Sequence, residues 1–341
     1  MPESFCLKRR LAHGLAQATT RLTAPLLAAC ILCGSALFTL PAAAQEVTLR
    51  AVSAFTTDNF LSEHFLKLLD KINAEGKGLV QVRYVGGPEA IPSFEVGTAV
   101  RNKVVDMANV PSAFYTNVAP EAMATAFTEH NYDTLRKRGA IDYLNTVMAG
   151  KNLIYLARTV DYMPFHIYTN KGFAGDLKGQ RMRTTGMYRD LFLALGATVV
   201  QTSPAELYTA LERGMVDGYG WPTGSIFDLG WHERTRFRVD PGFYNSESGV
   251  LMNLEVWNSL RPEQRAFLQK QFEWVEAQNV LYKAKAQAEK DRQAAAGIQT
   301  IQLNAVEGEK LLVASRKAAW GYVRQIAPQH GDRLQALFGN P

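Results

Sequence analysis

Between residues 47 and 110 the chain changes hydrophobic period repeatedly, and that alternation restricts it to sheet covered by helices. Residues 47–52 alternate as a half-buried strand, and residues 59–73 place Phe60, Leu61, Phe65, Leu68, Leu69 and Ile72 at helical spacing. Gly76-Lys77-Gly78 breaks that helix, residues 79–85 alternate again, and Gly86-Gly87-Pro88 turns the chain into a helical stretch over 93–103. A third strand is expected over 104–110. Strands alternating with helices predict an α/β fold whose sheet is mainly parallel. The pattern continues with a helix over 132–149, strands over 153–156 and 165–169, a strand ending at Arg183, helices over 187–195 and 204–213, and a short strand over 216–219. Residues 261–295, dense in Gln, Lys, Glu and Ala, carry an apolar stripe that includes Phe267, Phe272 and Val275, which predicts one long helix or two stacked ones. A strand over 298–303 and a helix over 305–326 close the chain.

Upstream, Lys8, Arg9, Arg10 and Arg21 precede an uncharged apolar run over 22–40 and then Pro41-Ala42-Ala43-Ala44-Gln45. A basic region, an apolar region and small residues at A-x-A spacing predict a secretory signal over 1–44, cleaved after Ala44. Two alternatives stand beside it. The run is long enough for an uncleaved anchor, and Cys30 could end a lipoprotein signal, although residues 31–40 stay apolar where a polar tether is expected. Cys6, Cys30 and Cys33 all fall in this segment, so the chain beyond Ala44 has no disulfide or thiolate chemistry and must be held by its core. Four of the 37 basic residues and one of the 32 acidic residues also lie there, so the net charge of +5 falls to about +2 beyond Ala44. That balance gives no reason to expect nucleic-acid binding.

The roughly 300 remaining residues exceed what one hydrophobic core usually serves, so two lobes with a cleft between them are expected. We place the first part of lobe I at 45–165, mainly lobe II with hinge strands at 166–255, and a long helix and C-terminal segment packing across both lobes at 256–341. Ligands of open α/β sheets bind beyond the carboxyl ends of strands. Arg183, Tyr219 and Trp221 fall there.

Three stretches are more specific than any periodicity. They are Asp176-Leu177-Lys178-Gly179-Gln180-Arg181-Met182-Arg183, Leu195-Gly196-Ala197-Thr198-Val199-Val200, and Glu206-Leu207-Tyr208-Thr209-Ala210-Leu211-Glu212-Arg213-Gly214-Met215-Val216-Asp217-Gly218. Together they closely resemble the substrate-binding subunit of tripartite ATP-independent periplasmic (TRAP) transporters, DctP-type. The resemblance extends to Val105-Asp106-Met107, to Pro120-Glu121 and to the Val256-Trp257-Asn258 entry into the long helix. It implies a two-lobed periplasmic-binding-protein fold, type II-like, with a hinge of crossing strands and a long bracing helix. It also implies closure on an organic acid that is handed to membrane permease subunits. In the family the second basic residue of the Lys-Gly-x-Arg-x-Arg strand forks onto the substrate carboxylate, and here that residue is Arg183. The chemistry agrees, because a guanidinium offers two parallel donors and stays charged when water is excluded.

Departures from the family pattern carry the ligand information. Where many acid-binding members have a second arginine this chain has Pro164-Phe165-His166, and Phe114 stands where some have a polar or basic residue. Trp221 precedes Pro222 where a polar residue is common. With Phe55 and Tyr219 these aromatics predict a pocket that is apolar apart from Arg183, suited to a monocarboxylate or 2-oxo acid with an apolar or aromatic body. Arg158 and His166 are candidate polar contacts. Ser53, Glu89 and Ser112 occupy loops facing the expected cleft, where they could bond a 2-oxo or 2-hydroxy group; turn and cap chemistry is the plainer role for both serines.

An enzyme needs a nucleophile with a base, a metal set or a cofactor loop, and none is visible. His130, His166 and His232 lack partners at metal-ligand spacing, no glycine-rich phosphate loop follows a strand, and Ser225 lacks the G-x-S-x-G elbow. No cofactor is therefore expected. An exported sensor component presenting its closed form to a membrane receptor would share the same ligand chemistry and stands as the alternative.

Overall fold

The computed structural model describes residues 45–339; the signal segment and the alternative lipidation site at Cys30 lie outside them. Strands β1 (Val47–Ser53), β2 (Val80–Gly86), β3 (Met107–Val110) and β4 (Leu153–Val160) belong to a first sheet. Strands β5 (Pro164–Thr169), β6 (Arg181–Thr184), β7 (Thr198–Gln201), β8 (Gly218–Pro222) and β9 (Phe237–Asn245) belong to a second. The chain then returns to the first sheet with β10 (Ser248–Asn253) and ends in the second with β11 (Gln299–Gln302). The sheet orders are β2-β1-β3-β10-β4 and β11-β9-β5-β8-β6-β7.

The expectation of a mainly parallel sheet holds only narrowly: five strand pairings are parallel, β11 with β9 among them, and four are antiparallel. β1 pairs in parallel with β2 and β3, and β6 in parallel with β7 and β8. β10, by contrast, is antiparallel to both its neighbours, and β5 is antiparallel to β8 and β9. The cause is the crossing itself. A strand that passes straight from one sheet into the other, without a returning helix, enters against the direction of its new neighbours.

Local chemistry sets the covering helices. In Glu63–Glu75 the residues His64, Phe65, Leu68, Leu69 and Ile72 are buried, Asn59 Oδ1 accepts from Leu61 N just upstream, and Gly76 ends the helix where an added Cβ would sit 2.3 Å from Val80 O. The stretch over 132–149 is two helices, Tyr132–Lys137 and Ala140–Ala149, because Gly139 adopts φ +69° between them. Residues 261–295 are likewise two, Pro262–Gln278 and Leu281–Ala295. The former packs on β4 and the helix Glu63–Glu75, the latter on β11, so the pair serves both sheets. Phe272, fully buried with Leu268 and Val275 against the first sheet, contributes about 1.5–3 kcal/mol by burial.

Two crossings join the sheets: Val160 to Pro164 between β4 and β5, and Asn245 to Ser248 between β9 and β10. Asp161 ties them together, its Oδ1 accepting from Tyr162 N at 2.8 Å and from Asn245 Nδ2, and its Oδ2 from Arg158 Nη1 at 3.2 Å. Ser246 N donates to Met163 O at 2.8 Å, and Asn279, between the two long helices, donates to Arg158 O at 2.9 Å. All three passages between sheets therefore meet around residues 158–163.

Candidate functional site

A partly open cavity of about 40 Å³ lies beside these crossings. It has room for roughly three waters. Phe55, Leu61, Ala113 and Phe114 wall it from the loops of the first sheet, and Phe165, Arg183, Tyr188 and Trp221 from the second. Arg183 ends β6, the strand held between β7 and β8 in parallel register (Arg183 opposite Val200 and Tyr219). It is fully buried.

The guanidinium is rigidly held. Nε and Nη2 donate to Thr202 O at 3.0 and 2.7 Å, and Nη1 donates to Tyr188 Oη at 2.6 Å. Thr202 in turn precedes the helix Pro204–Glu212, where Glu206 Oε2 accepts from Ser203 N and Oγ, each at 2.9 Å, and fixes the turn. Burial pushes the Tyr188 phenol up in pKa against the opposing pull of Arg183, which keeps the hydroxyl protonated. A guanidinium has five N–H donors, so one on Nη1 and one on Nη2 stay uncommitted. No Asp or Glu oxygen among the described residues lies within ion-pair distance of Arg183, although its ring-face contact with Trp221 (5.6 Å to the centroid) supplies part of the missing compensation. A larger groove of about 480 Å³ runs past Tyr162 and Arg316, but Arg316 is partly exposed and pairs with Glu309 at 2.9 Å.

The aromatic walls interlock. Phe55 packs on Phe114 at 5.8 Å between centroids, Phe165 on Tyr188 at 5.3 Å, and Trp221 edge-on to Trp231 at 4.7 Å, with Trp221 Nε1 donating to Ser225 Oγ at 2.8 Å. Of the residues picked out in the sequence, Arg183, Trp221, Phe165, Phe114 and Phe55 line the cavity together.

The others lie outside its wall. Tyr219 stacks on Tyr168 and bonds Thr235 at 2.7 Å; it shares a face of β8 with Trp221 but lies one pleat back along the strand, short of the cavity. His166 is fully buried between β8 and β9, its Nε2 on Thr223 Oγ1 at 3.1 Å and its Nδ1 against Val239 O and Asp240, and burial lowers its pKa. Ser53 pairs with Ser62 at 2.9 Å, and Glu89 folds back onto Gly87 N at 2.5 Å. Arg158 is committed to Asp161 and Thr125 O. Ser112 supports the wall from behind through Glu247, to which its N and Oγ donate at 2.9 and 2.8 Å.

The pocket is not apolar apart from Arg183, as its sequence suggested. Thr185, Ser246, Glu247 and Ser248 also line it. The last three went unread because residues 246–248 are a crossing between sheets, whose partners lie as far as 139 residues away. Among the described residues no group of three or more His, Cys, Asp and Glu is placed to hold a metal ion, and no helix is long and apolar enough to cross a membrane.

Two α/β sheets joined by crossing strands, with an arginine-bearing cavity at the join, define a two-lobed solute-binding protein. The family model for bacterial extracellular solute-binding proteins, family 7, matches residues 53–322, and the chain belongs to that family. It is 29% identical, over 51% of its own length and 51% of the other, to a monocarboxylate 2-oxoacid-binding periplasmic protein of Nostoc sp.; the alignment thus spans about half that relative. Its fold is similar to a TRAP periplasmic solute-binding protein of Desulfovibrio salexigens with bound orotic acid (TM-score 0.77, 19% identity, covering 85% of this chain and 97% of that one). It is also similar to an extracytoplasmic solute receptor of Bordetella pertussis binding pyroglutamic acid (TM-score 0.76, 17% identity, covering 86% and 100%).

Proposed function

We propose that this protein is exported, captures a small monocarboxylate or 2-oxo acid with an apolar or aromatic body, and delivers it to the permease subunits of a TRAP transporter without transforming it. The observation that carries the reading is Arg183: a buried, immobilised cation with two free donors and no acidic partner, set in an aromatic wall. A buried charge is costly unless paired, and a ligand carboxylate both supplies the charge and matches the two donors. Phe55, Phe114, Phe165 and Trp221 cover the apolar body, while Tyr219, His166, Ser53, Glu89 and Ser112 act through the packing that positions them. The apolar share of the wall supports an apolar body over the hydroxyl-rich body of a sugar acid. The acids named for the similar proteins support the ligand class. Export rests on the basic and apolar segment before Gln45, with cleavage after Ala44, and residues 45–165 and 166–255 supply most of the two closing lobes.

The test is a thermal-shift screen of the exported protein against aliphatic and aromatic monocarboxylates, 2-oxo acids, dicarboxylates and sugar acids. A ligand at 100 times its Kd stabilises the native state by about 2.7 kcal/mol. A shift given only by dicarboxylates or sugar acids refutes the ligand class, and recovery of a chemically altered acid refutes a purely binding role.

A further inference from the structure

Arg183 is not the only polar group in the cavity wall. Ser246 and Glu247 form the link between β9 and β10, and both line the cavity that Arg183 lines. Ser246 is 3% exposed, and its Oγ has no hydrogen-bond partner. Glu247 is 7% exposed; its Oε2 accepts twice from Ser112, whereas its Oε1 accepts once, from Tyr155 Oη at 2.8 Å. A carboxylate oxygen has two acceptor sites, so one on Oε1 is unfilled. No Lys, Arg or His nitrogen among the described residues lies within ion-pair distance of Glu247; Arg158, whose charge reaches Glu247 through space, makes its hydrogen bonds to Asp161 and Thr125 O and leaves its Nε without a partner. An orphaned hydroxyl beside a buried carboxylate with a spare acceptor is an arrangement that asks for a donor.

We propose that Ser246 and Glu247 are a specificity subsite that selects acids carrying a hydroxyl or N–H donor near the carboxylate over acids carrying an oxo group there. The proposal rests on the reading that Arg183 holds the ligand carboxylate. A ligand hydroxyl can accept from Ser246 and donate to Glu247 at once, and an N–H can donate to Glu247. An oxo oxygen accepts only, so it answers Ser246 and sets its lone pairs against Glu247. A buried acceptor left facing another acceptor weakens binding by about tenfold or more.

The experiment is calorimetric titration of the full-chain protein with matched series, pyruvate against both lactate enantiomers and alanine, and phenylpyruvate against both phenyllactate enantiomers and phenylalanine. The expected result is that a hydroxy or amino acid binds about tenfold tighter than its oxo counterpart. Glu247→Gln, whose amide can donate to an oxo oxygen, should move that ratio about tenfold toward the oxo acid. An oxo acid that binds as tightly as its matched partners overturns the subsite while leaving the carboxylate clamp in place. So does an unchanged ratio in a Glu247→Gln variant that melts cooperatively; if that variant fails to fold, the wild-type ratio alone decides. Failure of every acid in both series to bind overturns the clamp as well, and Arg183→Met tells the two apart, since it must abolish binding of all members whatever their second substituent.

Discussion

Replacing Arg183 with methionine should separate binding from stability. In the ligand-free protein the change takes donors from the half-buried Thr202 carbonyl and the buried Tyr188 hydroxyl, at about 1–3 kcal/mol for the hydroxyl and less for the carbonyl. It also removes a fully buried cation that has no acidic partner, whose desolvation costs several kcal/mol, and the two effects offset to within about 2 kcal/mol. Binding has no such compensation. A carboxylate that loses its charge-assisted fork weakens by about 2–5 kcal/mol. At 1.4 kcal/mol per decade this is roughly 30- to 5,000-fold in Kd. Urea denaturation with and without the best acid from the screen measures both quantities on one sample. The variant should unfold near the wild-type midpoint without ligand and show no ligand-induced gain. A variant that binds within about fivefold of wild type refutes the clamp, and one that unfolds in buffer refutes the offset.

Three further outcomes follow from the geometry. Asp161→Ala should cost about 3–5 kcal/mol in urea denaturation, because it leaves Arg158 buried without its counter-charge and unties Asn245; a loss under about 1 kcal/mol would mean that the crossings do not depend on this carboxylate. Gly249→Ala places a Cβ 2.3 Å from Tyr155 Oη, and since Tyr155 is fully buried its ring must shift and release Glu247, for a destabilisation of about 3 kcal/mol visible in the same assay. Burial, assisted by the charge of Lys285, lowers His64 to a pKa of about 4. The unfolded state then binds this proton more readily. Stability is therefore full above pH 6.5 and lost as pH falls through 4, by up to about 3 kcal/mol; His64→Phe should flatten the urea midpoint between pH 6.5 and 4.

The strands β1 and β2 were legible because their sequences alternate and end at a turn or a Gly, and β6 because the motif over 177–183 marks it, although its residues are buried in an unbroken run. β9 and β10 were not, because Asp240-Pro241-Gly242 interrupts β9 with residues that mark loops, and the strand survives by pairing with β5 and β11 on either side. Gly139 was invisible to helical periodicity, since Leu135 and Ile141 keep the apolar face running across the break. At the site, Arg183 could be found because its motif is local, and the aromatic wall because several substitutions point one way. Glu247 could not. Its two supports, Ser112 and Tyr155, are 135 and 92 residues distant, and the pairing exists only once both sheets have formed. Ser53, Glu89 and His166 erred in the opposite sense: each is polar and near a strand end, but each satisfies its hydrogen bonds within its own lobe.

Asp161 and Asn245 pin the two crossings to each other, with Asn279 anchoring the helix junction to the same stretch of β4. Attachments gathered on one short line leave a body a single easy freedom, swing about that line, while sliding and wobble are resisted. The aromatic wall on each side then travels on a fixed arc and returns to the same fit every time. On the proposed carrier role, grip on the acid would be set by that angle, and it is the angle that a membrane partner would read.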